Sequence, residues 1–227
     1  MFNSFKKKFE AIKKDYQDLP IANENFIDAI LPPVFFVTIS RFQELQTSIL
    51  LTVALIVITF SYRIFREESL KNSLIGVAGT SIALFIAQIQ GSASGFFLPG
   101  IIRDLSVAAI GFFSILFGRP FTIYTSKSIR GWPLGWFLHK NVKPAYREVA
   151  IIWVVFLGIK GLMQLYFFNS PEILAVIKLA TSNQTTIFLL VMTYIYGQRR
   201  LLKLGGPSVD EFLNKTPPPW SSQQSGF

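Results

Sequence analysis

Five polar side chains stand inside runs of apolar residues: Arg103, Asp104, Lys160, Gln164 and Lys178. Ionisable groups at membrane depth are expensive, and each is a candidate for function by default. Lys160 lies eleven residues past Val149, near the middle of an apolar run, with Gln164 one turn further on the same helical face and Trp153 two turns before it. A lysine near a bilayer centre costs roughly 3 kcal/mol unless it finds a partner or water. The carboxylates within the apolar segments are Asp104 and Asp28. A lysine facing a carboxylate can act as a fixed ion pair or pass a proton, and the structural readings, an ion pair or snorkelling, outweigh the relay. Asp104 is the preferred partner, although it begins its segment while Lys160 is read as mid-span. Arg103 and Asp104 follow the Phe96-Phe97-Leu98-Pro99-Gly100 turn at shallow depth, where snorkelling competes with function. Lys178 sits six residues into the last apolar segment.

Other chemistries find little support. The chain has no cysteine, which removes thiolate nucleophiles, disulfides and sulfur-ligated metals. Its single histidine, His139, cannot form a multi-histidine site. Nucleophile elbow, phosphate loop, dinucleotide fingerprint and metalloprotease helix are all missing from the sequence. No catalytic residue, metal ligand or cofactor is expected.

The elements that must position these residues are long apolar segments. Of 227 residues, 51% are hydrophobic and 15% charged, against about 25% charged in an average soluble domain. Six segments read as spans: 26–40, 46–63, 73–90, 101–118, 149–168 and 172–196. The first is short and contains Pro32 and Pro33. Segment three carries a stripe of small residues, Gly76, Thr80, Ala83 and Ala87, suited to close helix packing. Lysine and arginine fall 18 to one between the two sets of connections, and three lie inside segments. The split predicts an all-α, six-helix polytopic membrane protein with both termini in the cytoplasm. The net charge of +9 is therefore read as topology and lipid attraction rather than nucleic-acid binding.

Three regions flank or join the spans. Residues 1–25 carry Phe2, Phe5, Phe9, Ile12, Tyr16 and Leu19 at helical spacing, with Lys6, Lys7, Lys8, Lys13 and Lys14 between them. This predicts an amphipathic helix lying on anionic lipid. Within the transmembrane domain, residues 26–200, the long connection 119–148 holds Trp132, Trp136 and Phe137, read as interfacial anchors. Residues 201–227 read as an extended Pro/Ser/Gln-rich tail able to dock partners.

Two stretches carry a family resemblance. Phe26-Ile-Asp-Ala-Ile-Leu-Pro-Pro-Val-Phe-Phe36, continued through Leu50–Phe60 to Tyr62-Arg63, resembles the opening of the bacterial intracellular septation protein A family. Gly118-Arg119-Pro120, Ala145-Tyr146-Arg147-Glu148, Trp153 and Gln164-Leu165-Tyr166 resemble later parts of it; all these pieces, with Phe96-Phe97-Leu98-Pro99-Gly100, also resemble a related multi-pass bacterial family of unknown function. The resemblance implies a small bacterial inner-membrane protein linked to envelope synthesis and division. The lysine-rich N-terminus, long connection and Pro/Trp tail depart from that family and suit docking. The leading expectation is a non-enzymatic scaffold or accessory subunit that binds other membrane proteins. The alternative is a small-solute or proton transporter using Lys160, Gln164 and Asp104, with a lipid-modifying enzyme third.

Overall fold

A computed structural model describes residues 26–65 and 70–220. The basic N-terminal segment expected to lie on lipid falls outside the described residues, as does the end of the tail. Among the described residues every regular element is helical. They are α1 (Phe26–Ile39), α2 (Leu45–Phe65), α3 (Leu70–Gln90), a 3-10 turn (Ala93–Phe97), α4 (Leu98–Leu116), α5 (Phe121–Arg130), α6 (Leu134–Phe137), α7 (Lys143–Tyr166), α8 (Pro171–Ala180), α9 (Asn183–Leu204) and α10 (Val209–Leu213).

Among the described residues, three helical stretches are long and apolar enough to cross a membrane: Leu45–Tyr62, Ala93–Leu116 and Lys143–Tyr166. A fourth is added if α8 and α9 count as one broken span. Expected segments one and three fall short for different reasons. At 14 residues, α1 reaches ~21 Å against a hydrocarbon core of ~30 Å. In α3 the apolar stretch is Gly76–Gln90. Segment six was expected as one span, but it breaks around Thr181 and Ser182. Large exposed apolar side chains line α2, among them Leu50, Val57 and Ile58. That all-round apolar character is what lipid, not water, accommodates.

The chain divides into two compact units, one of residues 1–99 and 169–179 and the other of residues 100–168 and 180–227. In the first, Phe36, Leu84, Ala87, Phe96, Phe97 and Leu174 are buried. The Phe36 and Phe96 rings meet at 5.2 Å. Gly95 lets the 3-10 turn rest on α3, since a Cβ there would stand 2.8 Å from the Ala87 Cα. The small-residue stripe packs at its alanine end, Ala83 and Ala87, while Gly76 and Gly79 face open space.

In the second unit the connection 119–148 is a folded cap. Gly118, at φ +68, and Gly131, at φ +69, adopt the left-handed conformation that ends α4 and α5. The Thr122 hydroxyl donates to the Tyr146 carbonyl at 2.8 Å and fastens α5 to α7. Ile123, Trp136, Phe137, Val142, Ala145, Tyr146, Val149 and Leu201 form one buried cluster. The expected anchoring role of Trp136 and Phe137 is therefore corrected. Both are 0% exposed, and the Trp136 indole N–H donates to the Pro207 carbonyl at 2.9 Å. Trp132 is half-buried, with the Arg130 guanidinium 4.8 Å from its ring centre.

The start of the tail is ordered too. Helix α9 runs on to Leu204, and α10 opens with a capping box. The Glu211 N–H donates to the Ser208 hydroxyl, and the Ser208 N–H donates to the Glu211 carboxylate. Trp220 then packs edge-on against His139 at 5.3 Å.

Candidate functional site

The polar residues of α4 and α7 meet because glycines let the two helices approach closely. A Cβ at Gly161 would stand 2.5 Å from Leu105 Cδ2, and one at Gly111 would stand 2.6 Å from Val154 Cγ2. These pairs run in opposite chain directions, so α4 and α7 are antiparallel. Lys160 precedes Tyr166 by six residues and Asp104 follows Leu98 by six. Lys160 thus stands ~9 Å from the C-terminal end of α7 and Asp104 ~9 Å from the N-terminal end of α4, ends that lie side by side in the antiparallel pair. The depth mismatch expected from the sequence disappears, because α7 starts at Lys143 and Lys160 is not at its middle.

The contact is direct. Lys160 Nζ stands 2.9 Å from Asp104 Oδ2, with the lysine side chain 11% exposed and the carboxylate 4%. Arg103 donates from Nε and Nη2 to Asp104 Oδ1 at 3.1 and 3.0 Å. Its own side chain is 71% exposed. Both carboxylate oxygens thus face a cation. Gln164, one turn past Lys160, is buried, and its Oε1 has no hydrogen-bond partner. The arrangement can hold α4 to α7 through a charge-assisted clasp. It also offers one buried acceptor beside an ammonium group.

Lys178 belongs to the other unit, where its ammonium stands 5.2 Å from the Phe96 ring centre and 5.6 Å from that of Phe97. Cation–π attraction satisfies part of its charge there.

A second polar cluster escaped the sequence reading. Arg200 of α9 grips Glu148 of α7, Nε to Oε2 at 2.8 Å and Nη2 to Oε1 at 2.9 Å. The Tyr196 hydroxyl donates to Glu148 Oε2 at 2.7 Å. The available signal was Tyr196 and Arg200 one turn apart on a face that must meet Glu148, the one acid in α7. Outside the spans, His139 Nδ1 accepts from the Asn141 N–H at 3.2 Å. Burial, and then the charge of Lys140, hold its pKa below the ordinary histidine value. Among the described residues, no three His, Cys, Asp or Glu side chains converge as a metal-holding group.

Residues 23–202 match the family described as "Protein of unknown function (DUF3159)". No curated protein and no solved structure matches the chain.

Proposed function

The chain belongs to the DUF3159 family, a protein family of unknown function, and on that premise we propose that it is a non-enzymatic integral membrane protein acting as a scaffold or accessory subunit of a membrane assembly. The observation that carries this reading is the closed pairing of Asp104. Each of its oxygens faces a cation of the same chain, Lys160 or Arg103. A carboxylate held this way is spent on joining helices, as a clasp in a structural protein should be. The folded cap of α5, α6 and α10 on α7 and α9 gives such a protein a surface outside the spans on which partners can dock. We extend the reading to six crossings with both termini cytoplasmic in a bacterial inner membrane, which the 18-to-1 charge split supports. An envelope-related role rests on the resemblance of the quoted segments to the septation protein A family. The N-terminal lysines would add attraction to anionic lipid.

The second reading, a small-solute or proton transporter, is favoured by one atom. Gln164 Oε1 is a buried acceptor awaiting a donor beside Lys160. Reconstitution of the purified chain into dye-loaded vesicles separates the two. The scaffold reading expects proton and solute flux equal to that of empty vesicles. Flux that vanishes in Gln164→Leu, a variant that leaves the Asp104 clasp in place, would establish the transporter instead.

A further inference from the structure

At one end of the second unit the chain turns strongly basic. Beyond Leu116 its sequence up to Trp220 holds ten lysines and arginines outside Lys160 and Lys178, against three acids, setting aside Glu172 of the other unit. The structure gathers part of this excess into a belt. The position where a Gly118 Cβ would stand is 3.2 Å from Lys143 Nζ, which brings the turn bearing Arg119 beside the start of α7. One turn along α7, Arg147 is exposed, and its neighbour Glu148 is the acid gripped by Arg200. Arg199 and Lys203 flank that grip on α9, and both are exposed. The local acid is therefore already engaged, while Arg147 precedes it on α7, Lys143 and the turn of Arg119 stand one turn earlier, and Arg199 and Lys203 lie beside its partner Arg200 on α9.

We propose that this belt is a binding surface for anionic phospholipid. Its place along the helices fits. The apolar stretches Ala93–Leu116 and Lys143–Tyr166 both end at this level, which is where headgroup phosphates lie beside a spanning helix. Its chemistry fits as well. Arginine forks and lysine ammonium groups bind phosphate oxygens. Exposed apolar side chains stand next to them, Leu116, Phe117, Ile151 and Leu202, against which acyl chains can lie. A soluble anion would use the cations and leave that apolar flank uncovered; a phospholipid covers both. The surface is separate from the clasp of Asp104, and it does not depend on the chain being a scaffold.

The test uses the full chain in mild detergent with equal amounts of dioleoyl phosphatidylglycerol and dioleoyl phosphatidylcholine, with retained lipid counted by native mass spectrometry. The expected result is selective retention of phosphatidylglycerol. Each belt cation contributes roughly fivefold (about 1 kcal/mol). Arg147→Gln with Arg199→Gln should therefore lower retention about 25-fold. Lys127→Gln with Lys215→Gln removes the same charge from exposed positions outside the belt and should leave retention within about twofold. Equal loss in the two double variants would reduce the effect to net charge and overturn the proposal. So would equal retention of the two lipids by the unaltered chain, a result that needs no variant to fold. Displacement of the lipid by millimolar glycerol phosphate would show a free-anion site and overturn it as well.

Discussion

Replacing Asp104 by asparagine tests the clasp most sharply, because its two cations differ in burial. The change keeps the side chain's shape and removes its charge, leaving the Lys160 ammonium 11% exposed beside a neutral amide. Breaking a buried pair from one side costs about 3–5 kcal/mol, since the surviving charge is uncompensated. Lys160→Met is the milder break. It leaves Asp104 bonded to Arg103, whose side chain is 71% exposed and keeps its own solvation. A loss of about 1–3 kcal/mol is expected there, the range for a buried group that forfeits one of its partners. The double variant strands neither charge inside and should lie close to the unaltered chain, because apolar or neutral replacement of a whole buried pair is often near neutral. The order of stability is therefore unaltered chain, double variant, Lys160→Met, Asp104→Asn. The two single losses sum to about 4–8 kcal/mol while the double variant loses little, so the coupling energy should be about 4–8 kcal/mol in magnitude. Denaturant titration of the four proteins in one detergent, followed by helical circular dichroism, supplies the cycle. Additive single effects, or an Asp104→Asn variant no weaker than Lys160→Met, would refute the clasp.

Gly161→Ala places a methyl 2.5 Å from Leu105 Cδ2, so it should lower stability by about 1–3 kcal/mol in the same titration. Trp136→Phe removes the donor to the Pro207 carbonyl; limited proteolysis should then cut the segment from Gly205 to Trp220 faster, with about 1–3 kcal/mol lost. The depressed pKa of His139 fixes the sign of a pH effect on its contact with Trp220. The folded state prefers the neutral ring, so its contribution is complete above the ordinary histidine pKa and is lost as pH falls through the lower, folded value. Protection factors for hydrogen exchange over residues 209–220, taken against the intrinsic rate at each pH, should accordingly be higher at pH 7.5 than at pH 5.5, and His139→Phe should abolish the difference.

Long apolar runs located the long helices, and the cost of an unpaired lysine pointed to a carboxylate partner for Lys160. Asp104 stands 2.9 Å from it. Depth was misjudged because the charges of Lys143, Arg147 and Glu148 read as loop, whereas they occupy the first turns of α7 with Pro144 among the starting residues. Trp136 misled for a related reason. A tryptophan in a basic, glycine-rich connection has the composition of an interfacial anchor, and nothing local reveals that its N–H meets a carbonyl 71 residues away. The Glu148–Arg200 grip spans 52 residues, and the spacing of Tyr196 and Arg200 was its one local cue. The order at the start of the tail had a visible cue. Ser208-Val209-Asp210-Glu211 is a capping-box sequence, outweighed by the Pro217-Pro218-Pro219 run that follows it.

Membership of an assembly, rather than transport or catalysis, is the role proposed for the chain. Native mass spectrometry of the full chain, extracted from its own membrane in mild detergent, tests it most directly. The account predicts a mass exceeding that of the chain by a second protein in fixed stoichiometry. Recovery of the chain by itself, or in multiples of its own mass only, would contradict it.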